Sequence, residues 1–212
     1  MVNIVSDIAG RYDELMLLLD KMPPGEPISI GDMVDRHDQS KQVLDFFMKN
    51  GRAIMGNHEH LLLDHCANQK SNKPSYYQYG TWQYNGGSAT IRSFPSDVPQ
   101  EYIDWIRKLP KYLEIDNCLI SHAFVHPDYN TVLEACDLGR DWEDFPKSDN
   151  SIIWNRSEPI GREYALQICG HNSQFGLRWW GDYAVCLDDS REKKLTGIHL
   201  PSRKIYQQDY LK

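Results

Sequence analysis

Hydrolysis of a phosphate ester needs a water that ionises near neutral pH, an offset for the charge on the phosphoryl oxygens, and a proton for the leaving oxygen. Two divalent ions about 3.5–4 Å apart supply the first two. Carboxylate, amide and imidazole groups are suitable ligands for Mn, Fe or Zn, and a neighbouring histidine can supply the proton. The sequence places such groups in one recurrent setting. Asp7, Asp32, Asn57, His122 and His171 each follow a short apolar run, and His58 stands beside Asn57. Singly these residues say little, because an Asp after a strand is most often a turn or helix cap. Five in the same local setting are harder to dismiss.

The elements that must position them can be read from the apolar pattern. Apolar runs at 3–6, 28–30 and 52–55 alternate with helical patterns at 12–21, around Val43 to Phe47, and at 61–66. Strand, helix, strand predicts parallel βαβ units. Ligands in such sheets bind beyond the carboxyl ends of the strands. Asp7, Asp32 and Asn57 recur at intervals of 25 residues, close to the roughly 30 residues of one βαβ unit. Neighbouring strand ends would therefore present them together. Further strands are expected at 112–115, 118–121, 166–169, 183–187, 195–200 and 204–207. Residues 68 to about 110 break the rhythm with Tyr76, Tyr77, Tyr79, Trp82 and Tyr84. We expect a helical insertion there, within a single domain spanning 1–212. Aromatic packing onto the core is its simpler role, and capping of the site the alternative.

Composition narrows the classes. The chain has 212 residues, 41% hydrophobic and 25% charged, with a net charge of −7. That balance argues against broad nucleic-acid binding, which needs a basic patch. No apolar run reaches the roughly 18 residues of a membrane span, and the opening residues do not read as a signal peptide. The five cysteines, Cys66, Cys118, Cys136, Cys169 and Cys186, form no C-x-x-C pair. Reduced thiols and a cytoplasmic setting are expected.

Local motifs sharpen the picture. Gly31-Asp32-Met33-Val34-Asp35-Arg36 and Gly56-Asn57-His58-Glu59 resemble signatures of the calcineurin-like metallophosphoesterase superfamily, and within it the phosphoprotein phosphatases. Ser121-His122-Ala123 and Gly170-His171 match its two later metal histidines. Ile153-Trp154-Asn155-Arg156, and Trp82 with Asn85-Gly86-Gly87, are similar to segments of the bacteriophage lambda-type protein phosphatases. The resemblance implies an α/β fold, a β-sandwich of two mixed sheets flanked by helices. It implies two divalent metal ions, with Mn²⁺ the first choice and Fe or Zn open. Asp7 and Asp32 would hold one metal, with Asp32 bridging, and Asn57, His122 and His171 would complete the second. His58 would be the general acid, oriented by Asp35. Arg36 and Arg156, with Asn57, would hold phosphate.

Two positions depart from the family pattern. Where D-x-H-G is expected, this chain has Asp7-Ile8-Ala9-Gly10, so the first metal loses its only nitrogen ligand. A single loss inside an otherwise complete set reads as an inactivating substitution, with a natural variant as the alternative. His37 stands where the family usually has Gly. It is expected to be a solvent-facing loop residue, with a substrate contact or replacement ligand as alternatives. The leading expected substrate is a phosphorylated protein side chain or small phosphoester. Dinucleoside polyphosphates or cyclic nucleotides are the enzymatic alternative, and a non-catalytic phosphate-binding module the third. Glu59 tilts towards the protein phosphatases, because the symmetrical dinucleoside tetraphosphate hydrolases usually show G-N-H-D.

Overall fold

Strand β1 (Val2–Val5) is buried along its whole length, because its two faces meet two different cores. Val2 and Ile4 enter one and Val5 the other, as the two-residue period of a strand requires. The computed structural model describes residues 1–71, 81–132 and 151–211. Tyr76, Tyr77, Tyr79 and Cys136 lie outside the described residues.

The first half follows the expected rhythm: α1 (Tyr12–Lys21), β2 (Glu26–Ser29), α2 (Ser40–Asn50), β3 (Arg52–Ala53) and α3 (Asn57–Ser71). Three short helices follow, α4 (Thr81–Tyr84), α5 (Gly87–Ser93) and α6 (Gln100–Ile106). The second half contains β4 (Tyr112–Ile115), β5 (Cys118–Ser121), β6 (Leu166–Cys169), β7 (Arg178–Trp180), β8 (Ala184–Cys186), β9 (Lys194–Leu200) and β10 (Lys204–Asp209). Strand β7 is not legible in the sequence, because Arg178-Trp179-Trp180 offers no apolar alternation. Helix α3 begins at Asn57 itself, so the third motif opens a helix.

The strands form two five-stranded sheets, ordered β10-β9-β1-β2-β3 and β4-β5-β6-β8-β7. Both are mixed. β1, β2 and β3 run parallel, as do β5, β6 and β8, and the remaining pairings are antiparallel. The expected fold class is the one found. A single doubly wound sheet, which a βαβ start alone would also allow, does not occur among the described residues. Ile4, Ile28, Ile30 and Ile198 from one sheet meet Ile120, Ile168 and Val185 from the other in the central core. The outer face of the first sheet is covered by α1, α2, α3 and α6 through Leu15, Leu18, Val43, Phe47, Leu62 and Ile103. No helix among the described residues is long and apolar enough to cross a membrane. Cys66, Cys118, Cys169 and Cys186 are free thiols.

Candidate metal centre

The loops after β1, β2, β5 and β6, with the start of α3, converge at one edge of the sandwich. Their backbones are unusual. Asp7, Ala9, Asp32, Asp35, Arg36 and His171 all have positive φ, from 42° to 73°. Non-glycine residues are uncommon there, and such strain concentrates at functional sites. Glycines allow the close approach. A Cβ on Gly56 would lie 2.4 Å from the Asp32 amide nitrogen, and one on Gly170 would lie 2.1 Å from Asp7 Oδ2.

Glu59 holds the second loop. Its buried carboxylate accepts the N–H groups of Asp32 at 2.8 Å, Met33 at 2.7 Å and Gly56 at 2.9 Å. Burial and the neighbouring Asp32 push its pKa up to about 7. Glu59 is fully enclosed, so its identity reports how the loop is braced rather than which substrate is taken. The tilt drawn from it in the sequence has no structural basis.

One side of the centre is rich in nitrogen. His122 Nδ1–H donates to the Ile30 carbonyl at 2.8 Å, and His171 Nε2–H donates to the Trp154 carbonyl at 3.2 Å. Carbonyls only accept, so the tautomers are fixed and each ring turns a lone pair inward. His122 Nε2 and His171 Nδ1 both lie 2.9 Å from Asn57 Oδ1. Asp32 Oδ1 is 3.3 Å from His122 Nε2. Burial pushes both histidines' pKa values down, and His122 and Arg156 add to the effect on His171. Neutral imidazoles and an amide oxygen thus converge with no proton between them. The opposite amide orientation would place two N–H donors there. The one found is the orientation a cation requires. Ligands bound at about 2.0–2.2 Å sit roughly 3 Å apart around one ion, so the donor set fits a divalent metal.

The other side is rich in carboxylate. Ligand atoms of Asp7, Asp32 and His122 lie within 4.8 Å of one another. Asp7 accepts the Ser6 hydroxyl and, at 3.1 Å to each oxygen, the His171 N–H. Burial, then Asp188, then Asp32 push its carboxyl well above the usual range. Asp32 behaves oppositely. Burial works against its charge, but His122, His58 and His171 in their protonated forms, together with Arg36, outweigh that and hold its carboxyl well below the usual range. Ala9 is buried, and its N–H donates to the Asp32 carbonyl at 2.8 Å.

His58 and Asp35 form a buried pair beside the metal cluster. His58 Nδ1–H donates to Asp35 Oδ2 at 2.6 Å. Nε2 then faces the cleft, 3.7 Å from Asp32 Oδ2 and 3.1 Å from Arg36 Nη2. Burial lowers the His58 pKa, but Asp32 and Asp35 outweigh it, and the net shift is upward. Asp35 is held in turn by Trp82 Nε1–H, at 3.0 and 3.1 Å, and by the Thr90 hydroxyl at 2.6 Å. The Asp35 N–H donates back to Thr90 Oγ1 at 2.8 Å. Trp82 and Thr90 lie in the segment read from sequence as an insertion, and no spacing pattern marks them as partners of Asp35.

Arg36 and Arg156 are exposed at the rim, with Arg156 Nη1 donating to the His171 carbonyl at 3.5 Å. His37 is also exposed and lines a pocket with Arg11 and Arg92. It is not one of the residues of the cluster formed by Asp7, Asp32 and His122. Asp188, which sequence reading passed over, is buried at the end of β8. The signal was present, since Val185-Cys186-Leu187 is an apolar run followed by an acid, like the others.

Relatives place the chain. A symmetrical bis(5'-nucleosyl)-tetraphosphatase of Histophilus somni is 31% identical over 137 residues, covering 60% of this chain and 45% of that protein. One from Shewanella sediminis is 30% identical over 145 residues, covering 63% and 48%. The chain thus spans just under half the length of these curated relatives. The cold-active protein-tyrosine phosphatase of a psychrophilic Shewanella superposes with a TM-score of 0.65 at 18% identity, covering 97% of this chain and 76% of that one. A protein serine/threonine phosphatase from Saccharomyces cerevisiae gives 0.62 at 13% identity, covering 100% and 80%. At these identities the structural likeness is one of fold. Residues 2–201 match the calcineurin-like phosphoesterase family, and the match carries all the strand-end loops just described, so this chain belongs to that family.

Proposed function

We propose that the chain is built as a two-metal phosphoesterase that cleaves phosphate esters with water. The observation that carries this reading is Asn57 Oδ1 set between two inward imidazole lone pairs, 2.9 Å from each. When bound, two divalent ions supply an acidified water and a counter-charge for the phosphoryl oxygens. Mn²⁺ is the first choice of metal, with Fe and Zn as alternatives. Asn57, His122, His171 and Asp32 would hold one ion, and Asp7 and Asp32 the other. Arg36 and Arg156 clamp phosphate oxygens, a task suited to guanidinium. Protonated His58 gives its Nε2 proton to the leaving oxygen, and Asp35 fixes the ring so that Nε2 faces the cleft. In the neutral ring the Arg36 guanidinium donates to Nε2. Protonation of the ring frees that guanidinium for phosphate.

For the substrate, a phosphate monoester such as a phosphorylated protein side chain is the first reading, supported by the motif resemblance to phosphoprotein phosphatases. A dinucleoside polyphosphate is the second, supported by the curated relatives. Ala9 marks the present chain as an impaired form, because the first ion has lost its nitrogen ligand. A misplacement on the order of 1 Å can cost about 10²-fold.

The test is Ala9→His, assayed with Mn²⁺ beside the unchanged chain. Histidine suits the position, since it tolerates the positive φ of residue 9 better than most residues. The substrates are nitrophenyl phosphate, a phosphopeptide, a dinucleoside tetraphosphate and a cyclic nucleotide. We expect a gain of about 10²-fold on at least one of them. Turnover of the nucleotides alone would select the second substrate reading. Two bound metals with no turnover of any would leave a phosphate-binding module instead.

A further inference from the structure

We propose that the pocket beyond Arg36 receives the leaving group, and that its lining fits a peptide carrying the phosphorylated residue rather than a nucleotide. The inference rests on the phosphoesterase function proposed above. The attacking water and the leaving oxygen lie roughly in line across the phosphorus. With the water on the metal side, the leaving oxygen points away from it. That oxygen must also come within hydrogen-bond reach of His58 Nε2, about 2.6–3.2 Å. Arg36 Nη2 is 3.1 Å from the same nitrogen, so the group attached to the leaving oxygen passes beside Arg36. Arg36 walls a cavity of about 420 Å³, within the roughly 300–1,000 Å³ of ligand pockets. Asp7, Asp32 and His122 do not line it.

Four segments of the chain meet in the walls and are tied together. The Asp13 N–H donates to Gln39 Oε1 at 3.2 Å, and Gln39 Nε2 donates to Asp13 Oδ2 at 2.8 Å. One oxygen of the buried Glu14 carboxylate accepts Arg11 Nη1 at 2.9 Å and the Leu211 N–H at 3.2 Å. The Arg11 guanidinium carbon lies 3.4 Å from the centre of the Tyr210 ring. Arg92, in the last turn of α5, donates to Asp38 Oδ1 at 2.8 Å. The Arg36 N–H donates to the Gly86 carbonyl at 3.1 Å, just before α5. Walls tied in this way are set before a ligand arrives, which lowers the cost of binding.

The charge of the lining selects the ligand. Arg11, Arg36 and Arg92 are matched by Asp13, Glu14 and Asp38, so with His37 neutral the lining has no net charge. Arg11 and Arg92 are already paired with carboxylates, and Arg36 is committed to the phosphoryl oxygens. A nucleotide leaving group would bring further negative charge against three carboxylates. A peptide brings N–H donors and carbonyl acceptors along its backbone. Carboxylates accept from the first and guanidinium groups donate to the second. His37, exposed in the same lining, adds a ring that can donate or accept.

Calorimetric titration of the Mn²⁺-loaded chain tests this without reference to turnover. The probes are inorganic phosphate, a short peptide bearing a non-hydrolysable phosphonate analogue of phosphoserine, and a methylene-bridged dinucleoside tetraphosphate. The peptide should bind at least about tenfold more tightly than phosphate, the equivalent of one hydrogen bond to a charged group, and more tightly than the tetraphosphate. His37→Trp fills the pocket, and Arg92→Ala removes a donor from its wall. Each should lower peptide affinity by about tenfold and leave phosphate affinity unchanged. Both residues are exposed, and each variant serves alone if the other fails to fold by circular dichroism. Peptide affinity no greater than that of phosphate, or unchanged by either substitution, would overturn the proposal. Tighter binding of the tetraphosphate than of the peptide would overturn it in favour of a nucleotide. Failure of all three probes to bind would sink the phosphoesterase function itself, an outcome distinct from failure of the pocket alone.

Discussion

The two sides of the centre are built on different principles. On the nitrogen-rich side each histidine is oriented by a second bond, His122 to Ile30 and His171 to Trp154. These rings are neutral, so the arrangement carries little electrostatic cost before metal arrives. On the carboxylate-rich side Asp7 and Asp32 are buried within one cluster, and burial, Asp188 and Asp32 push the Asp7 carboxyl well above the usual range. That side depends on a cation to be stable as written. The difference teaches where a lost ligand matters most. Removing one donor from a preorganised set leaves the others in place, whereas a mutually repelling set needs every ligand to hold its ion.

The largest effect should come from His58, the proton donor of the proposed mechanism. His58→Asn in the Ala9→His protein should lower turnover of an alkyl phosphate by about 10²–10⁴-fold. The loss should shrink for nitrophenyl phosphate, whose leaving group needs no proton. Equal losses on both would mean that His58 acts in another way. A pH profile sharpens the same point. Asp32 and Asp35 hold the His58 pKa above its ordinary value against the effect of burial, so the acid form persists to higher pH than in a free histidine. Turnover of the alkyl ester should fall as pH rises through that raised value. Asp35→Asn removes one stabilising charge, so its falling limb should move to lower pH.

Next in size is a direct attack on the preorganised side. His122→Ala deletes a donor that meets both Asn57 Oδ1 and Asp32 Oδ1. The tighter of the two Mn²⁺ sites should lose affinity by more than the roughly 10–100-fold typical of indirect partners, as read by calorimetry. A drop confined to the weaker of the two would reverse the assignment of the two sides.

The smallest effect concerns the brace behind the proton donor. Trp82→Phe keeps the ring and removes the N–H that bonds buried Asp35. A hydrogen bond to a charged group contributes about 1.5–3 kcal/mol, but the Thr90 hydroxyl and His58 remain. We expect a loss near the lower figure in chemical denaturation and a turnover loss of about tenfold on alkyl esters. Unchanged stability and turnover would return Trp82 to simple packing, the role the sequence suggested for its segment.

Much of the centre was legible because the same local physics is repeated. A parallel strand must end, its chain must turn, and the residue at that turn is polar. Asp7, Asp32, Asn57, His122 and His171 all sit there, behind apolar runs that any buried strand needs. The helix at Tyr12–Lys21 was legible from apolar spacing for a related reason. What escaped was decided by contacts between segments far apart in the chain. Thr90 meets Asp35 across 55 residues, and Asp7 meets His171 across 164. No local period records such a pairing. Glu59 shows the converse, a motif residue whose work, bracing the backbone of residues 32 and 33, only the folded loops reveal. Sequence alone therefore determined which groups stand at strand ends, because burial and turn chemistry act locally. The tertiary structure decided which of them share a cavity, because that depends on how two twisted sheets are laid against each other.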